Sequence, residues 1–138
     1  MRSPAHDVSE MLEEYQSDSS SGSMLGLTFA VNLFVGREPS KPINCVTIYD
    51  TGGYPPYLGL NDVGYEYPSI QIRVRNQKQE DGWSLIESIK NSLHGRHGET
   101  WGGSLYTQIV CSTAPALLEW DDNGNAVFFC NFNLQRRP

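Results

Sequence analysis

The stretch that most limits what this chain can become is Cys45-Val-Thr-Ile-Tyr-Asp-Thr-Gly-Gly-Tyr-Pro-Pro-Tyr57. Its first half is a β-branched run in which Val46 and Ile48 alternate with Cys45, Thr47 and Tyr49, the pattern of a strand. Gly52 and Gly53 then break the run at positions free to take φ > 0. Pro55 and Pro56 exclude a helix interior or an ordinary ladder beyond them. Tyr49, Tyr54 and Tyr57 surround the break. A strand ending in a stiff aromatic loop holds a contact surface off a scaffold, and the remaining chain reads as that scaffold and a second loop near Trp101.

The other elements follow from periodicity. Val8, Met11, Leu12 and Tyr15 at i, i+3, i+4, i+7 predict a helix over 5–15, with Asp7 and Glu10 in its first turn, where the dipole favours acids. Leu25 to Phe29 and Leu33 to Val35 read as one bent strand or two short ones, and 36–42 as a turn-rich connection. Tyr67 to Arg75 alternates cleanly, with Ile70, Ile72 and Val74 on one face and Ser69, Gln71, Arg73 and Arg75 on the other. Ile86, Ile89 and Leu93 predict a helix over 79–93, closed by Gly95. Leu105 to Ser112 is expected to place Leu105, Thr107, Ile109 and Cys111 on one face, with Pro115 barring regular pairing nearby. Asn-Gly within 121–125 signals a hairpin leading into a last strand, Ala126 to Leu134, with Phe128, Cys130, Phe132 and Leu134 on one side. Strands in groups imply α+β: a mostly antiparallel four- to five-stranded sheet with two helices packed on one face.

At 138 residues the chain is expected to be one domain, 1–138. It has short tails at 1–4 and 135–138, a Ser-rich loop at 17–23 and long loops at 50–67 and 94–104. Loops of that length more often serve function or an interface than not. A net charge of -6 argues against a surface that coats nucleic acid. The three cysteines, none spaced as CxxC, read as reduced core thiols of a cytoplasmic protein, and no apolar run is long enough to span a membrane.

Catalytic chemistry finds no footing. His94 and His97 share a glycine-rich loop, but Glu99 is their sole neighbouring ligand, a poor zinc set. Asp121, Asp122 and Asn123 begin like a calcium loop, yet no glutamate closes it. No phosphate loop and no GxSxG context occur. Arg73 and Arg75, alternating outward, suit either a solvated sheet face or an ionic subunit interface. No cofactor and no metal are expected.

Four stretches carry a family resemblance: Asn44-Cys-Val-Thr-Ile-Tyr-Asp-Thr-Gly-Gly-Tyr-Pro-Pro56, Tyr67-Pro-Ser-Ile-Gln-Ile-Arg-Val-Arg75, Ile89-Lys-Asn-Ser-Leu-His-Gly95 and Phe129-Cys-Asn-Phe-Asn-Leu-Gln-Arg-Arg137. The chain resembles the phage "minor capsid" family regarded as tail terminators of long-tailed bacteriophages, over nearly its whole length and in the same order of elements. The resemblance implies a structural virion protein, not an enzyme. It implies a hexameric ring on the last ring of the tail tube, ending tube polymerisation and meeting the head-completion proteins, with DNA passing through its lumen without specific binding. It also implies a place in the virion tail or neck, after assembly in the host cytoplasm. The residues expected at assembly interfaces are Asp50, Tyr54, Tyr57, Arg73, Arg75 and Trp101. The alternatives are a head-closure or neck connector protein and, from another class, a small metal-binding or enzymatic domain using His94, His97 and Glu99.

Overall fold

The structure, a computed structural model, describes residues 2–14, 25–56 and 64–137. In chain order its elements are α1 (Pro4–Glu14), β1 (Leu33–Val35), β2 (Cys45–Tyr54), β3 (Tyr67–Asn76), α2 (Gln79–Leu93), β4 (Glu99–Trp101), β5 (Ser104–Trp120) and β6 (Ala126–Arg137). The strands form one six-stranded sheet in the order β1-β2-β3-β6-β5-β4. β1 runs parallel to β2, and every other neighbouring pair is antiparallel. The α+β class and the two helices agree with expectation. The sheet is larger because β4 has three residues, too few to display a periodicity, and mixed because the short strand β1 pairs parallel to β2.

The core is the helix-covered face. Val46, Ile48, Ile70, Ile72, Val74, Phe128, Cys130, Phe132 and Leu134 meet Ala5, Val8, Met11 and Leu12 of α1 and Ile86, Ile89 and Leu93 of α2 in one buried cluster. Each large side chain removed from water in this way contributes about 1.5–3 kcal/mol. One row of partners crosses the sheet: Leu33 lies beside Val46, Val46 beside Val74, Val74 beside Phe128, and Phe128 beside Leu117. Gly82 explains how close α2 comes, since a Cβ there would lie 2.8 Å from the Phe128 ring.

Three expectations need correction. The face assigned to β5 holds for Ile109 and Cys111, which meet the core, and fails before them: a register shift between Tyr106 and Gln108 inverts the alternation, so Tyr106 is buried while Leu105 and Thr107 are partly exposed. The strand does not end at Ser112: pairing is irregular around Pro115, as expected, with shifts on either side of Thr113, but it resumes at Ala116 and β5 continues to Trp120. Residues 25–29 form no strand, only an isolated bridge from Phe29 to Leu33. The 121–125 hairpin forms as expected: the Asp121 carboxylate accepts the Asn123 and Asn125 N–H groups at 2.9 and 2.8 Å. Those bonds hold its pKa below the usual carboxylate range, the Asn125 backbone bond foremost. Gly95, at φ +91, follows the α2 cap residue His94. The Ser-rich 17–23 segment and Tyr15 lie outside the described residues.

Candidate assembly surfaces

β2 does not stop at its glycines. A register shift between Asp50 and Gly52 lets the strand bend, and Gly53 and Tyr54 still pair with Pro68 and Tyr67. Gly52 and Gly53 adopt φ of +92 and +104, and a Cβ on Gly53 would sit 2.1 Å from the Tyr67 carbonyl oxygen. The bend presents Tyr54, 72% exposed, at the rim of an open hollow of about 280 Å³ that Pro56, Tyr67 and Pro68 also line. Tyr57 lies outside the described residues.

Asp50, at the same bend, serves its own subunit. Its Oδ1 accepts the Ala5 N–H at 2.9 Å. Ser3 and Pro4 open α1 in the usual way, and Asp50 supplies from another element the acceptor that Ala5 lacks in its own turn. A carboxylate there also faces the positive end of the helix.

Trp101 belongs to a short hairpin, with Glu99–Trp101 paired to Ser104–Tyr106. Its ring packs against the core cluster, and its Nε1 donates to Glu99 Oε1 at 2.9 Å. The same oxygen accepts Arg96 Nη1 at 2.9 Å. Glu99 is thereby committed, and the two histidines have separate roles. His94 Nδ1 accepts the Cys111 N–H at 3.0 Å, and His97 Nδ1 lies 3.1 Å from the Gly95 carbonyl oxygen. Among the described residues no cluster of three His, Cys, Asp or Glu side chains stands ready for a metal ion.

The two arginines part company. Arg73 stays half-exposed over the Tyr49 ring at 5.3 Å and donates to Gln71 Oε1 at 2.8 Å. Arg75 is buried rather than outward-facing. It donates to the carbonyls of Ile43, Pro39 and Pro42 at 2.8, 2.7 and 2.9 Å, pinning the 39–43 turn onto the sheet. Its strand alternation was legible; the turn that covers it was not.

A buried polar cluster escaped sequence reading altogether. Asp7, fully buried, accepts from Arg2 Nε and Nη2 on one oxygen and from the Tyr106 hydroxyl on the other. Arg136 donates to the Tyr106 oxygen at 3.2 Å, to Glu66 Oε1 at 2.8 Å and to the Arg2 carbonyl at 3.1 Å. Arg2 also bonds Glu10. Burial, then the bond to Asp7, raises the Tyr106 phenol far above its ordinary range. Burial pushes the Cys130 thiol up to about 12 and raises those of Cys45 and Cys111; the first two are buried and Cys111 is half-buried. Sequence reading also missed exposed apolar groups at the sheet edges, Phe29, Val31, Leu117, Leu118 and Trp120. The signal lay in apolar residues continuing past Pro115 up to the Asn-Gly turn.

Comparison with known proteins settles the family. A family model described as bacteriophage tail terminator protein matches residues 12–137. The chain belongs to the bacteriophage tail terminator family. Tail terminators are structural phage proteins, so this member works in assembly with other virion proteins and not as a member of a known enzyme family. No curated protein matches the chain. Among solved structures, a chain of the "Virion of native gene transfer agent (GTA) particle" is similar in fold. It has a TM-score of 0.64 and 10% identity, over 98% of this chain and 95% of that one. No helix among the described residues of this tail terminator family member is long and apolar enough to cross a membrane.

Proposed function

We propose that the chain closes into a hexameric ring on the last ring of the tail tube, ends tube polymerisation there and presents the surface that joins the head. The observation that carries this reading is the family match over 12–137, which takes in every strand and α2. The exposed aromatic corner around Tyr54 supports it, since Tyr is a common anchor where interfaces bury most. Tyr54 and Arg73 are the contact residues of this reading; Asp50 at the surface, half-buried Trp101 and buried Arg75 hold its shape through bonds within the subunit. The net charge of -6 is compatible with a lumen through which DNA slides, because each cationic contact to phosphate would add salt-dependent grip. The partners are further copies of the chain, the tube protein and a head-completion protein. The site of action is the tail or neck of the virion, after assembly in the host cytoplasm.

Deleting the gene tests the reading. Headless tails of uncontrolled length are the expected result. Tails of normal length that fail to join heads would replace the terminator reading with that of a connector. Light scattering with and without tail tubes provides the second measurement; protein that neither binds tubes nor limits their length would overturn the ring.

A further inference from the structure

A ring built from identical subunits needs two different patches on opposite sides of each subunit, placed so that one fits the other and the contact closes. The sheet supplies such a pair. The row Leu33, Val46, Val74, Phe128, Leu117 crosses it from β1 to β5. Exposed apolar side chains stand at or beyond both ends of that row, Phe29 and Val31 on the β1 side and Leu117, Leu118 and Trp120 on the β5 side.

At the β1 end, residues 28–33 make a tight turn that displays Phe29 and Val31, the latter 61% exposed. The turn is held rigidly. Asn32 Oδ1 accepts the Thr28 N–H at 2.7 Å, Glu13 Oε2 accepts the Phe29 N–H at 2.9 Å, and Ala30 takes a left-handed φ of +66. A non-glycine residue in that region costs energy that the surroundings must offset, and such sites cluster at active sites, ligand clamps and switch regions. At the β5 end, β4 covers only Ser104–Tyr106, and the Gly95–Arg96 backbone bonds Ile109. From Thr113 to Trp120, β5 has β6 on one side and no strand on the other among the described residues. Leu117 and Trp120 there lie opposite Phe128 and Ala126, on the helix side of the sheet, and Trp120 is 52% exposed.

The charges are complementary as well. Arg37, exposed just beyond β1, and Glu119, exposed between Leu118 and Trp120, form no ion pair among the described residues. Pro115 and the register shifts along β5 discourage strand-to-strand pairing, which leaves contact through side chains.

We infer that the Leu117–Leu118–Trp120 edge of one subunit docks on the Phe29–Val31 turn of a second copy of this chain, with Glu119 facing Arg37, and that repetition of this contact closes the ring. This rests on the ring reading above and names its lateral interface.

A double cysteine variant, V31C with L118C, tests it by short bismaleimide cross-linking of tube-bound protein. The expected product is a ladder of covalent multimers ending at ring size. Each single variant should give nothing beyond the background from the native cysteines. A double variant that still caps tubes at normal length but yields no ladder overturns this interface and leaves the cap intact. Protein that never engages tubes overturns both. In a second arm, V31E and W120S should each weaken ring association by at least about tenfold with an unchanged far-UV spectrum and melting point. The R37E/E119R pair should recover association that either single change loses. Variants that still form rings but no longer bind tubes would assign the edge to the tube protein and overturn the inference.

Discussion

The Tyr54 corner and the Trp101 hairpin are built from the same materials: a pair of glycines, one large aromatic and a position at the end of the sheet where β6 finishes. In the first the aromatic stands in solvent. In the second it lies against the core, with its indole N–H bonded to a carboxylate already holding an arginine. The difference comes from neighbours, not composition. Glu99, two residues before Trp101, gives the indole a partner, and nothing comparable flanks Tyr54. An aromatic in a glycine-rich turn therefore becomes a contact residue only where its own subunit leaves its polar tip and its face unclaimed.

This contrast can be broken by substitution. The largest effect should come from Asp7→Ala beneath the Trp101 hairpin, which strips Arg2, Tyr106 and Arg136 of their shared anion and should cost about 3–5 kcal/mol; a melting point within a degree of the parent would show that the polar cluster holds little. Gly53→Ala forces a Cβ onto the Tyr67 carbonyl and should cost more than Gly103→Ala, whose Cβ meets nothing within 4 Å. Denaturant titration of the two variants should rank them in that order. Trp101→Ala should destabilise the isolated subunit by about 2 kcal/mol. Tyr54→Ala should shift it by less than about 0.5 kcal/mol while weakening assembly on tubes. Equal losses of stability from the two would erase the distinction.

A pH series sharpens the same comparison. The neutral Tyr106 phenol is favoured in the fold because its pKa is raised above the ordinary 10.0. Its contribution is complete below about pH 10 and is lost as the pH climbs toward the folded value. Tyr106→Phe should be less stable at neutral pH yet lose less on going to alkali. Parallel curves for the two proteins above pH 10 would remove Tyr106 from the account.

What could be read from the sequence was whatever repeats. The alternation of Ile70, Ile72 and Val74 and the spacing of Ile86, Ile89 and Leu93 state their faces directly, and both elements formed where expected. The first half of β5 was misread because a bulge after Tyr106 reverses the phase, and a bulge leaves no mark in residue type. Arg75 was misread, and the burial of Asp7 missed, for a different reason. Each looks like a surface charge in its own element and is buried by a segment distant in sequence: the 39–43 turn over Arg75, and β5 and β6 over Asp7. Tertiary partners of that kind have no local signature. Of the residues expected to form interfaces, Tyr54 and Asp50 are exposed, Arg73 and Trp101 are half-exposed and Arg75 is buried; Asp50, Arg75 and Trp101 also bond to groups of their own subunit.

The cap that Asp50 places on α1 also couples two parts of the molecule mechanically. The bend that carries Tyr54 and the first turn of the N-terminal helix share one hydrogen bond, so neither can shift far while the other stays fixed. A partner that presses on the Tyr54 corner thus pulls on the acceptor that secures Ala5. Because α1 packs on the helix-covered face of the sheet, a contact made at the Tyr54 corner would reach that face through this one bond.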